Sequence, residues 1–362
     1  MNGNRRYFDT LDALRFLSFV KIFLLHLPIT TFPWFNYFRE GGDIGVSFFF
    51  VLSGFLITYF LLEEKTSTGK IQLKKFYLKR FLRIWPLYYL MVAFAFCTPY
   101  ILDLVGFSYS NEGYYPNWWM TILFLENYQM IQTGAFPNVS PLVVMWTLCV
   151  EEHFYIIWGL LLYFIRVRFF LLVLLICIIL SCISRYIFIS QGWMTIELST
   201  NLIYFSFGAI PAYLLVMKKA RFEHLITRVS YPMKYLFIFF TTIYVLVSPH
   251  IIYPYKLWIE PLLFGILFST LIAIVIPLNS RIRIGKNHIL TQLGLYSYGL
   301  YLYHTIIINL LVQLFFRWGF SIDKSLNAVI FTVVSMSFTI LISLVSYWFF
   351  ERYFLRWKTR LG

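Results

Sequence analysis

Long apolar runs separated by short polar segments dominate the pattern along the chain. Ten runs are long and apolar enough to cross a bilayer as helices, which takes about 20 residues each. They fall at 14–33, 44–62, 84–102, 141–165, 169–189, 198–217, 235–252, 257–277, 290–316 and 326–350. The pattern predicts an all-α integral membrane protein, a bundle of about ten transmembrane helices. Residues 1–362 read as one transmembrane domain without a soluble accessory domain. The segment 103–140 breaks the pattern. It has no Lys or Arg, carries Asp103, Glu112 and Glu126, and is dense in aromatic residues (Tyr109, Tyr114, Tyr115, Trp118, Trp119, Tyr128). Its apolar part, 118–127, is too short to cross and belongs in the membrane interface, as an aromatic belt or as a platform for sugar rings.

Composition sharpens this reading. The 362 residues are 60% hydrophobic and 13% charged, with mean hydropathy +0.73, which excludes both a water-soluble globule and a disordered chain. The net charge of +14 would suggest nucleic acid in a soluble protein. Here it fits basic loops lying against an anionic membrane face, and no nucleic-acid partner is expected. Of the 30 Lys and Arg residues, 23 fall on one side of the ten spans. The other side has five (Arg39, Arg185, Lys256, Arg317, Lys324), and Arg15 and Lys21 sit inside the first span. The positive-inside rule then puts both termini in the cytoplasm, and the chain is expected in the inner, cytoplasmic membrane. Arg5 and Arg6 precede the first span, but no small-residue cleavage site follows it, so it is read as a retained helix rather than a signal peptide. Cys97, Cys149, Cys177 and Cys182 lie in apolar stretches with no CxxC pair and no His at ligand spacing. They are expected to be small buried hydrophobes, and no metal is expected.

Ionisable residues inside the spans carry the chemical signal, because a charge near the bilayer centre costs roughly 2.5–3.5 kcal/mol on insertion scales. Arg15 and His26 are eleven residues apart, three helical turns plus about 20°, so they share a face about 16 Å apart along the axis. Asp12 is placed to pair with Arg15. The position of Lys21 has no explanation in the pattern. An imidazole titrates near neutrality, so His26 is suited to take a proton from a hydroxyl and return it to a leaving group. Arg80 and Arg83 lie one turn apart beside Trp85-Pro86. They serve equally as a positive-inside flank or as a bidentate phosphate clamp. Glu151 and Glu152 are adjacent near mid-membrane, where two charges need a partner or a shared proton, and Tyr155 lies one turn from Glu151. His304 lines up with Ser297 and Tyr301, and Glu351 closes the last span. Both are read as interhelical hydrogen-bonding groups or as part of a site.

In order along the chain stand LDALR with LLH (Arg15, His26), GVSFFFVLSGFLI (Gly45 to Ile57), KRFLRIWPLYYL, WTLCVEEHFY, SYGLYLYH and SYWFFER. In these motifs the chain resembles the acyltransferase-3 family of integral membrane acyltransferases over nearly its whole length. The resemblance implies an enzyme that moves an acyl group, most often acetyl from cytoplasmic acetyl-CoA, onto a hydroxyl of a cell-envelope saccharide or lipid-linked glycan. It implies His26 as the catalytic residue, a general base or an acyl-transfer residue, with Arg15 as its companion, Glu151 at a family position, and Arg80 and Arg83 on the donor side, toward coenzyme A phosphates. Acyl-CoA, a carbohydrate acceptor and the lipid bilayer are the expected partners. Ser47, Thr147 and His153 stand where many members have Asp, Ser and Gln. Ser53 is a weak nucleophile candidate and reads better as packing beside Gly54. The main rival reading is a transporter or flippase of a lipid-linked saccharide or acyl donor, since intramembrane charges also mark transport paths. A sensor or scaffold fits poorly with such short loops.

Overall fold

A computed structural model of the chain describes residues 6–107, 112–277 and 280–360. Arg5 and Tyr109, singled out above, lie outside the described residues. Among the described residues there is no strand, only one isolated bridge between Tyr114 and Pro137. The helices begin with α1 (Asp9–His26), α2 (Pro33–Arg39), α3 (Asp43–Thr68) and α4 (Leu73–Val105). Three short ones follow, α5 (Trp118–Ile122), α6 (Glu126–Thr133) and α7 (Ser140–Val143). Next come α8 (Trp146–Phe164), α9 (Phe170–Ser190), α10 (Leu198–Met217), α11 (Lys219–Arg228), α12 (Tyr231–Val247) and α13 (Lys256–Val275). The chain closes with α14 (Ile289–Gly294), α15 (Ser297–Arg317), α16 (Ser325–Ser346), a π-helical turn (Tyr347–Glu351) and α17 (Arg352–Arg360).

Nine helical segments among the described residues are long and apolar enough to span a membrane. The remaining expected span, the first, is α1. It has 18 residues and carries Asp9, Asp12, Arg15 and Lys21, too many charges to qualify on composition. Its position also differs from the expected 14–33. The helix begins at Asp9 and ends at His26, because Pro28 lacks the N–H and restricts the residue before it. The chain restarts as α2 at Pro33, the favoured residue for a first helical position.

The chain falls into two compact units, neither of them a continuous stretch. The first unit comprises Met1–Leu25, Tyr37–Phe60 and Tyr204–Ser297. In it α3 and α10 approach backbone to backbone. A Cβ on Gly54 would run into the Phe205 carbonyl, and one on Gly208 into the Val51 carbonyl. Small residues of this kind let membrane helices approach backbone to backbone, which is the packing role expected around Gly54.

The second unit comprises His26–Asn36, Leu61–Ile203 and Tyr298–Gly362. Its core joins Leu87, Tyr88 and Met91 of α4 to Leu142, Met145, Cys149 and Leu302. The 112–139 stretch is fastened to α4. Tyr88 donates to the Thr121 carbonyl (2.6 Å) and stacks on Phe124 (3.9 Å), and Tyr89 donates to the Ile122 carbonyl (3.1 Å). The Thr121 carbonyl also accepts from the Phe124 N–H (3.2 Å), so the Tyr88 phenol adds a second bond to it at the end of α5. Trp118 and Trp119 stack on each other and stay exposed, while Tyr114 turns inward to Glu126. In α9 the buried residues Phe170, Leu174, Cys177 and Ser181 form one stripe, and the leucines and isoleucines around it face outward. Such an outward apolar surface suits lipid rather than water. The four cysteines are free, and Cys97 is exposed rather than buried as expected. It lies on the outer face of α4, where an apolar solvent would replace protein packing.

Candidate functional site

The first helix holds its charges by pairing them locally. Asp12 accepts from the Arg15 guanidinium on one carboxylate oxygen and from the Tyr7 hydroxyl on the other. The expected Asp12–Arg15 pair is thus present and neutralises both charges inside an apolar helix. Arg283 donates to Asp9 one turn earlier (3.0 Å). Lys21, unexplained by the pattern, donates to the carbonyls of Phe38 and Glu40 (2.7 and 2.6 Å). It fastens α1 to the end of α2, whose last carbonyls lack helical partners. Ser47 donates weakly to the Asp43 carbonyl (3.4 Å).

His26, the last residue of α1, meets His304 in the second unit. Nδ1 of His26 lies 3.3 Å from Nε2 of His304, with the rings edge to face. Nδ1 of His304 lies 2.6 Å from the Tyr301 carbonyl oxygen. A carbonyl only accepts, so Nδ1 of His304 carries its proton. In the neutral ring Nε2 then accepts, so His26 donates from Nδ1 and holds its lone pair on Nε2. Tyr301 is itself fixed. Its hydroxyl donates to the Val144 carbonyl and accepts from Thr147, both at 2.9 Å. Thr147, where the resemblance has Ser, therefore keeps the hydroxyl and its bond. The pattern leaves His304 open between an interhelical group and part of a site. Its partner is 278 residues away in sequence, a separation that spacing arguments cannot bridge.

A second polar cluster lies in the same unit on α4 and α8. The Arg80 guanidinium sits over the rings of Tyr155 (5.5 Å) and Phe76 (5.9 Å). Tyr155 donates to Glu151 (2.7 Å), and the Trp85 indole N–H donates to Glu152 (3.1 Å). The other Glu152 oxygen and Arg80 Nε are buried with no hydrogen-bond partner among the described residues. Arg80 lies within electrostatic reach of Arg83, Glu151 and Glu152, and Arg83 within reach of Glu351. Glu351 ends the π-helical turn, a distortion that recurs at functional sites, and Ser346 donates to it (3.4 Å). Gly299 makes room for it, since a Cβ there would lie 3.3 Å from the carboxylate.

Arg80, Arg83 and Glu151 are thus brought together, joined by Glu152 and Glu351. His26 stands with His304 and Tyr301 in the same unit. Arg15 belongs to the first unit and is held by Asp12. Sequence reasoning missed Trp85 and the pairing of the histidines. The WP dipeptide beside the arginines was the only available signal for Trp85. Among the described residues no group of three or more His, Cys, Asp or Glu is placed to hold a metal ion.

The family described as an acyltransferase domain, acyltransferase-3, matches residues 8–348. A Listeria monocytogenes protein named peptidoglycan O-acetyltransferase OatA is 37% identical over 161 residues, 43% of this chain and 24% of that protein. A Staphylococcus aureus protein named O-acetyltransferase OatA is 32% identical over 170 residues, 45% of this chain and 26% of that protein. The matched stretch is thus about a quarter of the length of these relatives. No solved structure matches the chain.

Proposed function

The chain belongs to the acyltransferase-3 family, and from that premise we propose that it is a membrane O-acyltransferase, moving acetyl from acetyl-CoA to a hydroxyl of a cell-envelope saccharide. The observation that carries the mechanism is the hydrogen-bond series from the Tyr301 carbonyl through His304 to His26. It presents a lone pair on Nε2 of His26, the form of imidazole a general base requires. The donor supplies an activated acyl thioester. Nε2 of His26 takes the proton of the acceptor hydroxyl as its oxygen bonds to the acyl carbon, and returns that proton to the departing thiolate sulfur. His304 does not touch substrate in this scheme. It is a positioning residue, as second-shell partners of catalytic and metal-bound histidines are.

Arg80 and Arg83 fit the donor's phosphates. A buried Arg80 Nε with no hydrogen-bond partner among the described residues is a donor lacking its acceptor, and guanidinium matches phosphate in a bidentate fork. Glu151 and Glu152 hold the arginines in place before the phosphates arrive. Arg15 keeps its companion role through the Asp12 pair that sets its position on α1. The proposal includes ten spans, α1 being one of them, with both termini cytoplasmic, so that donor enters from the inner side. It treats residues 1–362 as one transmembrane domain.

The test is transfer of radiolabelled acetyl from acetyl-CoA into membrane glycans, in vesicles carrying wild type or His26→Ala at equal protein level. Loss of a positioned acid–base group is expected to cost about 10²–10⁴-fold. Label transfer by the variant at the wild-type rate would sink the role of His26. His304→Gln, which can still accept from Nδ1 of His26, is expected to retain much more activity than His304→Ala, with KM unchanged in both.

A further inference from the structure

The second unit contains a cavity of about 820 Å³ that the proposed chemistry does not use, within the size range of ligand sites. It is walled by the last turns of α4, by Phe107, by residues 135–143 and by one face of α15. Ile306, Asn309, Leu310 and Gln313 supply that face. At 100° per residue they lie about 140–240° round the helix from His304. The cavity and the histidine pair therefore occupy opposite faces of α15, and the cavity is a separate site.

Its chemistry is divided. Ile101, Val105 and Leu310 line it and are themselves exposed, so apolar side chains frame its opening. Glu112, Asn138, Asn309 and Gln313 add hydrogen-bonding groups. The Asn138 side-chain oxygen is buried with no hydrogen-bond partner among the described residues, an acceptor that calls for a donor. A cation stands beside two of the lining residues, Val105 and Phe107. Arg317 donates to the carbonyls of Val105 (3.3 Å) and Gly106 (3.1 Å), and its guanidinium lies over the Phe107 ring (4.7 Å). Among the described residues it forms no ion pair.

We propose that this cavity holds a phosphate-bearing amphiphile, a saccharide linked through phosphate to a long aliphatic chain. The chain enters between Ile101, Val105 and Leu310, the phosphate meets Arg317, and sugar hydroxyls donate to Asn138 and Glu112. The saccharide head rests on the acyltransferase reading; the chain and the phosphate rest on the cavity alone. The occupant is an anchored acceptor, held on one face of α15 while a sugar beyond the phosphate reaches the chemistry.

The test uses the full chain in nanodiscs with a polyprenyl-diphosphate disaccharide carrying a photoreactive diazirine on its chain. Crosslinks are mapped by peptide mass spectrometry, and acetyl transfer to the same lipid is measured in parallel. Crosslinks are expected in 94–107 and 306–313. Leu310→Trp and Val143→Phe, which fill the cavity from opposite walls, are each expected to reduce them at least tenfold. Arg317→Gln is expected to weaken binding about tenfold, the size of one charge-assisted contact, with Arg317→Lys restoring most of it. Crosslinks elsewhere, no change in either filled variant, or equal competition by phosphatidylglycerol would overturn the assignment. Crosslinks here without acetyl transfer would sustain the lipid site and sink the acyltransferase reading. Transfer that ignores the filled cavity would do the reverse.

Discussion

Glu126 and Glu152 are two buried carboxylates of the same unit, and they are treated in opposite ways. Glu126 accepts from the Thr121 hydroxyl on one oxygen and from the Tyr114 hydroxyl on the other. It pins the 112–139 stretch and leaves nothing for a ligand. Among the described residues, Glu152 has the Trp85 indole on one oxygen and no hydrogen-bond partner on the other, beside Glu151 and an Arg80 whose Nε is unpaired. Burying a polar group without a hydrogen bond costs free energy, so an arrangement that leaves two such atoms facing one cluster calls for a ligand. A satisfied buried carboxylate marks structure, and an unsatisfied one beside arginines marks a site.

The strongest way to break the comparison is Arg80→Ala. It removes the cation from Glu151 and Glu152 together with the proposed phosphate contact. About a hundredfold loss of acetyl transfer is expected, with a raised KM for acetyl-CoA. An unchanged KM would assign Arg80 to structure instead. Glu152→Gln should follow, lowering transfer about tenfold while the thermal midpoint in detergent stays within a degree or two. Glu126→Gln should invert that result. It puts an amide N–H against hydroxyls that now donate, costing about 1–2 kcal/mol of stability with kcat and KM intact.

The same residue gives a pH test outside the spans. Burial pushes the Glu126 carboxyl above the ordinary carboxylate range, with the Thr121 and Tyr114 hydroxyls pulling the other way. The folded form therefore binds this proton more tightly than the unfolded form. The stabilisation is full below the ordinary value and is lost as pH rises through the raised one. Hydrogen-exchange protection of residues 114–133, corrected for intrinsic rate, should fall over that interval in wild type and stay flat in Glu126→Gln. The smallest effect is expected from Thr31→Val. Thr31 and Ser321 donate to Asp323 and hold its carboxyl below the usual range, but the group is exposed and solvent can replace either bond. Transfer should change less than twofold.

The spans were legible because crossing a bilayer demands about 20 apolar residues wherever they occur. The Asp12–Arg15 and Glu151–Tyr155 contacts were legible too, being one helical turn apart. The end of α1 was misplaced because Leu27 and Ile29 continue the apolar run across Pro28, and hydropathy does not register a missing N–H. Lys21 could not be read, since its partners are backbone carbonyls and carry no residue identity. Glu126 looked like an ordinary loop acid, because nothing in a loop sequence announces which hydroxyls will fold over it. The histidine pair and the Arg83–Glu351 approach were hidden by distance along the chain. Each half of each pair was visible in a motif, and only the packing of helices joined them.

The crossing at Gly54 and Gly208 has a consequence for how this chain tolerates change. Neither position accepts even a methyl without striking the opposing backbone, so a mutational scan should score both as intolerant as His26. Neither glycine performs chemistry. Intolerance to substitution would therefore flag this contact and the histidine proposed as the base alike, and only a readout that separates protein level from turnover would tell a spacer from a reactant.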